Sequence, residues 1–443
     1  MQYLQHRTMN YTYKNIWLIN FPVMMSILIE QLINITDAMF LGHVGDIELG
    51  ASALAGIWYL TVYMFGFGFS LGIQVVVARR NGEGHYTETG KTFFQGLLFL
   101  SVLAIVLCAL SKILSPIILN RMIKSDEIYC AVIDYLDWRI WGLLFSFPFL
   151  ALRSFLVGIT HTTALNTSAL VAVFVNIVGN WLLIFILNMG ITGAAMASSF
   201  AEMCSLVALT VHVLHRHYRH VYGLRCQFDK NILLHVCRIS VWSMLHSFIS
   251  VAPWFMFFVA VEHLGELQLA VANILRSIST LFFVIVNSFA STTCSLVSNS
   301  IGSNGQEHLF RICGKVIRLG YCIGLPLIVI AMIFHKTVIG FYTDNQTIIQ
   351  AAWPPFVIML LNYVFALPGY VYMNAVTGTG ATRTAFIFQT VTIIAYLSYL
   401  WGISHWDVPL AVYWTVEYLF VICLGLQSVI YLKLKKQQYN QIS

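Results

Sequence analysis

NIWLINFPVMMSILIEQLINITDAMFLGHVG, Asn15 to Gly45, is the stretch whose reading decides the rest. It is apolar for most of its length, with Pro22 near its start and Asp37 far inside. A run of this length and composition predicts a membrane-spanning helix. An ionised carboxylate at such depth is costly, so Asp37 is a candidate functional group that needs partners from elsewhere in the chain. The plainer alternative is a carboxylate near a helix end that snorkels to the headgroups.

The whole chain matches this reading. Of 443 residues 59% are hydrophobic and 9% charged, where a soluble domain carries about 25% charged residues. Most of the chain therefore faces lipid or packs against other apolar helices. The net charge of +6 belongs to the connections and gives no reason to expect nucleic acid as a partner. The first apolar segment is too long for a cleaved signal and lacks a small-residue cleavage site, so it reads as an uncleaved first span. Nine cysteines, none in a CxxC pair, suit small apolar positions better than a disulfide or metal framework.

Hydropathy predicts twelve spans, near 15–42, 49–78, 93–119, 131–157, 164–188, 191–214, 232–261, 268–299, 312–335, 349–376, 383–404 and 408–432. The longest connection, His215 to Asn231, separates two sets of six. Basic residues crowd the N-terminus, the even-numbered connections and the tail. Among them are Arg7, Lys14, Arg79, Arg80, Lys91, Arg216, Arg219, Arg225, Lys230, Arg311, Lys315, Arg383, Lys433, Lys435 and Lys436. The other side has Arg121, Lys124 and Lys336 alongside Asp46, Glu48, Glu266, Asp344 and Asp407, which predicts that both termini are cytoplasmic.

The halves also repeat. A shift of 220 residues lays HVGDIELGASAL (His43–Leu54) on HLGELQLAVANI (His263–Ile274), and carries Phe69, Gly82 and Gly158 onto Phe289, Gly302 and Gly378. One ungapped offset through four spans is a duplication. The expectation is an all-α polytopic membrane protein with twelve transmembrane helices in two pseudo-symmetric six-helix bundles, an N-lobe over 1–220 and a C-lobe over 221–443. Such parallel repeats place a substrate path at the repeat interface in many secondary transporters. At Asp37 the symmetry fails, because Phe257 stands 220 residues on.

Candidate partners for Asp37 lie in the fifth and sixth spans. Asn176 and Asn180, four residues apart, share one helix face. Their structural reading is glue between helices; beside Asp37 they also form a polar pocket. A carboxylate with amide and hydroxyl oxygens suits a hard cation such as sodium, held by Asp37, Asn176 and Asn180, and a desolvated carboxylate suits a proton equally well. Ser198 and Ser199, in the small-residue run GITGAAMASSFAE, add hydroxyls, though such runs are commonly close-packing faces. Glu202 one turn later and Glu30 two turns before Asp37 are possible members of the same network. Pro22 removes a backbone hydrogen bond and reads as a static kink or a hinge. Aromatic runs such as Trp58–Phe65 and Trp254–Phe257 suit interfacial belts or the walls of a cavity for flat cations. GHYTETGKT (Gly84–Thr92) resembles a phosphate-binding loop, but it has five residues between its glycines and follows a span rather than a strand. With no nucleotide-binding domain, an active pump here needs an ion gradient.

With these features in hand the chain resembles the multidrug and toxic compound extrusion (MATE) transporters over nearly its whole length. The most specific pieces are DAMFLGHVG (Asp37–Gly45), ARRNGEG (Ala78–Gly84), NIVGNWLLIF (Asn176–Phe185) followed by GITGAAMAS, and TGTGATRT (Thr377–Thr384). The resemblance implies two six-helix lobes around a cleft, alternating access, and export of cationic or amphipathic small molecules in exchange for sodium or protons. It implies a prokaryotic plasma-membrane protein acting as a monomer without a cofactor. By position, Asp37 is the coupling carboxylate, Asn176 keeps the family's asparagine, Asn180 stands where many prokaryotic members have Asp, Ser198 lies near a hydroxyl ligand, and Pro22 lies near the bend of the first helix. Members of the NorM type carry acids in helices seven and ten, and the stretches around Ser250 and Ala366 have none. That argues against a cation site in the second lobe. Two rivals stand beside export. A lipid-linked sugar flippase requires a cavity ringed with basic residues, for which Arg153 and Arg276 are the in-span candidates. An intramembrane enzyme requires a paired catalytic constellation, which the dispersed His161, His246 and His405 do not suggest.

Overall fold

The computed structural model describes residues 11–123, 125–214, 216–224, 227–303, 305, 308–343, 345–406 and 408–442. Arg7, Lys124, Arg225, Asp344 and Asp407, used above for orientation, lie outside the described residues. Among the described residues the chain is helical with no strand.

Among the described residues twelve helices are long and apolar enough to cross a membrane. They are Tyr13–Gly42, Ile47–Gly82, Tyr86–Met122, Asp126–Gly158, Thr163–Ile186, Gly190–Val213, Lys230–Glu262, Glu266–Gly302, Leu309–Ile333, Trp353–Gly378, Thr382–Ser404 and Leu410–Gln437. Each overlaps a span expected from hydropathy, usually extended by a turn where polar residues continue the helix past the apolar stretch. Five of these spans are interrupted. The fourth tightens over Ile140–Gly142, the fifth widens over Trp181–Ile186, the seventh breaks ahead of Pro253, the tenth breaks at Asn362, and the twelfth breaks at Trp414. The first runs through Pro22 as one helix.

The duplication is written into the elements themselves. Asp46–Gly82 and Glu266–Gly302 are helices of 37 residues at an offset of 220. Leu143–Gly158 and Tyr363–Gly378 have 16 residues each, with Pro148 and Pro368 in register. Thr160 and Gly380 both have positive φ, 61° and 85°, in the turn that follows. The close approaches repeat as well. A Cβ on Gly158 would stand 3.2 Å from the Gln74 carbonyl, and one on Gly378 would stand 2.6 Å from the carbonyl of Cys294, its equivalent. These glycines let two helices meet backbone to backbone, the usual way of packing helices without a hydrophobic drive between them.

Contacts divide the chain into two compact units. One is Phe21–Phe248; the other joins the described residues up to Asn20 to everything from Ile249 onward. The duplication boundary near 220 and this division follow different lines: the units part in the first span beside Pro22 and in the seventh beside its break. Within Phe21–Phe248 the core is built by Phe69, Ile73, Val77, Leu100, Phe147 and Phe155. The other unit buries Phe289, Val297, Leu367, Val371, Val421 and Leu424.

Candidate functional site

Asp37 sits in the last turns of the first span and is turned towards the fifth and sixth spans. Its Oδ1 accepts hydrogen bonds from Asn180 Nδ2 at 2.6 Å and Asn176 Nδ2 at 3.0 Å, and its Oδ2 accepts from Ser198 Oγ at 2.6 Å. Asn176 Nδ2 also reaches Ser198 Oγ at 3.1 Å, and Asn180 Nδ2 reaches Asn176 Oδ1 at 3.3 Å. Asn176 and Asn180 are fully buried and Ser198 nearly so. The fifth span delivers its amides from adjacent turns of one face, as their spacing requires. Close packing of the sixth span's Gly193 against Leu183 brings Ser198 to the same point. The extra residue in the widened turn Trp181–Ile186 follows directly on Asn180; such turns are frequent at functional sites. A carboxylate held by three donors inside the protein does not snorkel. All four expected site residues are brought together. One acceptor is left over: Asn180 Oδ1 is buried and has no hydrogen-bond partner.

Glu202 and Glu30, expected as possible members of the network, take other places. Glu202 lies one turn beyond Ser198 and forms a second cluster. Arg139 Nη2 donates to its Oε1 at 2.7 Å, and Tyr59 Oη donates to its two oxygens at 3.0 and 3.1 Å. The Arg139 guanidinium lies 3.7 Å above the Tyr59 ring. The pair is largely buried, with side-chain exposures of 14% for Arg139 and 24% for Glu202. Gly142 makes room for it, since a Cβ there would collide with both the carboxylate and the guanidinium. Ser199 Oγ donates to the Trp138 carbonyl at 3.1 Å, joining the sixth span to the fourth beside this pair. Glu30 is half-buried and makes no hydrogen bond or ion pair among the described residues; its electrostatic neighbours are Arg153 and Glu202.

Tyr59 also begins a column of rings. Tyr59, Tyr63 and Phe67, each one turn apart on the second span, stack with centroids at 6.3 and 6.4 Å. Arg139 covers one end and Arg153 lies 6.0 Å from the Phe67 ring at the other. The interior of this unit thus carries three acids, Glu30, Asp37 and Glu202, against two arginines. Arg139 answers Glu202 and Arg153 stands near Glu30, which leaves Asp37 with neutral donors alone. Among the described residues no basic side chain forms an ion pair with it.

Arg139 and Tyr59 were not among the residues expected from sequence. Arg139 follows Asp134 and Asp137 near the start of its span, where a charge reads as belonging to the connection, and its partner is 63 residues away. Tyr59 sits in a run read as belt or wall.

The family model described as MatE matches residues 22–182 and 243–400. Among curated relatives, the multidrug resistance protein NorM of Aliivibrio fischeri is 22% identical over 376 residues, 80% of each chain. NorM of Vibrio cholerae is 20% identical over 75% of this chain and 74% of its own. Among solved structures, an outward-facing multidrug resistance MATE family transporter of the MOP superfamily superposes with a TM-score of 0.90 at 17% identity, covering 97% of both chains. The V. cholerae MATE transporter VcmN in its bent form gives 0.88 at 15% identity, covering 97% of this chain and 98% of that one.

Proposed function

The chain belongs to the MatE family of prokaryotic multi-pass membrane transporters, and from that premise we propose that it is a secondary-active antiporter that exports amphipathic or cationic small molecules in exchange for sodium or protons. Family membership makes it a transporter and sets aside the rival reading of an intramembrane enzyme. The names of the NorM relatives support a multidrug substrate range. We place it in the bacterial inner membrane as a monomer with both termini cytoplasmic, following its basic connections.

The observation that carries the coupling role is the Asp37 cage. A carboxylate satisfied only by neutral donors keeps its full charge for a transported cation. Four side chains supply oxygens there: Asp37, Asn176, Asn180 and Ser198. The unpartnered Asn180 Oδ1 supports sodium, a hard cation that takes such oxygens. Cation binding at Asp37 and binding of the exported molecule then favour different conformations, and the inward ion gradient drives the cycle. Its electrical component supplies about 2.3 kcal/mol per charge per 100 mV. The Tyr59–Tyr63–Phe67 column offers stacking faces for flat cations. The flippase alternative gains no support: Arg153 and Arg276 each lie over a phenylalanine ring, at 6.0 and 5.1 Å.

Ethidium efflux from energised vesicles, under a sodium gradient and a proton gradient separately, tests this reading. Efflux that follows one ion and vanishes in Asp37→Asn is the expected result. Unimpaired efflux in Asp37→Asn with both ions would refute the coupling assignment.

A further inference from the structure

The second lobe was expected to lack a cation site, because the stretches around Ser250 and Ala366 carry no acid. The twelfth span does carry one. Glu417 lies in the first turn of the helix Thr415–Ile442, past the break at Trp414. Its Oε1 accepts a hydrogen bond from the Tyr396 hydroxyl at 3.1 Å. No Lys, Arg or His pairs with it among the described residues. The titratable groups that face it are Tyr396 on the eleventh span and Tyr370 on the tenth, which lies within electrostatic reach. Arg276, on the eighth span of this unit, is engaged elsewhere, over Phe258.

The duplication gives this carboxylate a place. The offset of 220 carries Asn176 onto Tyr396 and Ser198 onto Tyr418, the neighbour of Glu417. The bond from Asn176 to Ser198, 3.1 Å, has its counterpart in the bond from Tyr396 to Glu417, also 3.1 Å. Asp37 maps onto Phe257, which is buried against Trp414 with ring centroids at 5.2 Å. The acid has thus moved from the first helix of one repeat to the sixth helix of the other, at an equivalent level of the bundle.

The surroundings have changed with it. Where Asp37 has two amides and a hydroxyl, Glu417 has rings. Tyr396 is fully buried and meets Phe420 edge-on at 5.9 Å. Tyr370 meets Phe283 edge-on at 5.1 Å, and both are partly exposed, as is Glu417. Phe283 is the counterpart of Tyr63, the middle ring of the column in the other repeat. The accessible groups are therefore one unneutralised carboxylate and two aromatic faces. An inorganic cation needs several oxygen ligands, which this set does not provide. A lipophilic organic monocation needs one counter-charge and apolar or π surface, which it does.

We propose that Glu417, with Tyr370, Phe283 and Tyr396, forms a second binding site, specific for lipophilic organic monocations and separate from the Asp37 cage. As a substrate subsite it rests on the export reading above; as a binding site it does not.

The test is equilibrium binding of tetraphenylphosphonium to the purified full chain in nanodiscs of neutral lipid. Wild type, Glu417→Gln and Glu417→Asp are compared, each checked for monodispersity. Removing one partner of a desolvated charge pair weakens binding by roughly 30-fold or more. The expected result is that loss in Glu417→Gln and partial retention in Glu417→Asp. Wild-type affinity in Glu417→Gln overturns the site, as does a wild type that binds no probe. A wild type that binds the probe through Glu417 yet exports no cation from vesicles leaves the site standing and refutes the export reading instead.

Discussion

The Arg139–Glu202 pair gives a prediction with a sign as well as a size. Glu202 stands one turn beyond Ser198, about 6 Å along the helix. Ser198 Oγ is 2.6 Å from Asp37 and Arg139 is 2.7 Å from Glu202, which puts the guanidinium on the order of 10 Å from the Asp37 carboxylate. While Glu202 is charged, the pair acts on Asp37 as a compact dipole. Glu202→Gln exposes Asp37 to the bare Arg139 charge. At an effective dielectric of about 20 this is worth about 1.7 kcal/mol, or roughly fifteen- to twentyfold in affinity for a cation at Asp37. Arg139→Gln exposes it to the bare Glu202 charge and tightens cation binding by a similar factor. The double variant returns close to wild type. Each single variant also strands a buried charge, at a cost of about 3–5 kcal/mol of stability, so Tm is read alongside. The assay is ion-dependent efflux in proteoliposomes, from which the half-saturating concentration of the coupling ion is obtained. Opposite shifts in the two single variants, cancelling in the double, are expected. Shifts in the same direction, or none, would show that the pair only holds the fourth and sixth spans together.

Three further outcomes follow from the geometry. Ser198→Ala removes the donor to Asp37 Oδ2, a hydrogen bond to a charged group worth about 1.5–3 kcal/mol; sodium half-saturation of efflux should rise about tenfold or more, whereas Ser198→Thr should stay near wild type, and equal losses in both would mean that the hydroxyl is no ligand. Gly378→Ala drives a methyl against the Cys294 carbonyl and should lower stability by about 1–3 kcal/mol, while Gly50→Ala, inside a helix with open space around it, should raise Tm slightly, by up to about 1 kcal/mol of stability; thermal unfolding in detergent separates them. Pro22→Ala supplies a missing backbone donor in the first span, about 1 kcal/mol, and should raise Tm while slowing efflux if the bend works as a hinge; a raised Tm with unchanged turnover would make Pro22 a static feature.

What could be read from the sequence depended on the range of the interaction. Spans follow from composition within about twenty residues, and the duplication from one offset, so the twelve helices and the repeat were legible before any coordinates. The Asp37 cage was legible because its amides announce a shared face at a spacing of four and its acid stands alone in an apolar stretch. Glu202 was noticed for its depth but not for its partner, since pairing with Arg139 and Tyr59 depends on how the second, fourth and sixth spans pack. The division of the compact units within the first and seventh spans was invisible for the same reason: no composition shift marks it.

The two repeats show how a duplicated membrane scaffold diverges. Backbone features persist at the offset: the paired prolines Pro148 and Pro368, the glycines that admit a neighbouring carbonyl, and the left-handed turn at Thr160 and Gly380. These are fixed by close packing, where any added atom meets backbone. Chemistry drifts at the inward-facing positions, where only volume and polarity constrain the side chain: Asp37 against Phe257, Asn176 against Tyr396, Tyr63 against Phe283. Among the described residues each repeat nevertheless retains an inward carboxylate without an ion-pair partner, Asp37 among amides and Glu417 among rings. An uncompensated charge inside a membrane is expensive and is seldom kept without use. Two such sites, one suited to a small hard cation and one to a large soft one, fit the exchange proposed above.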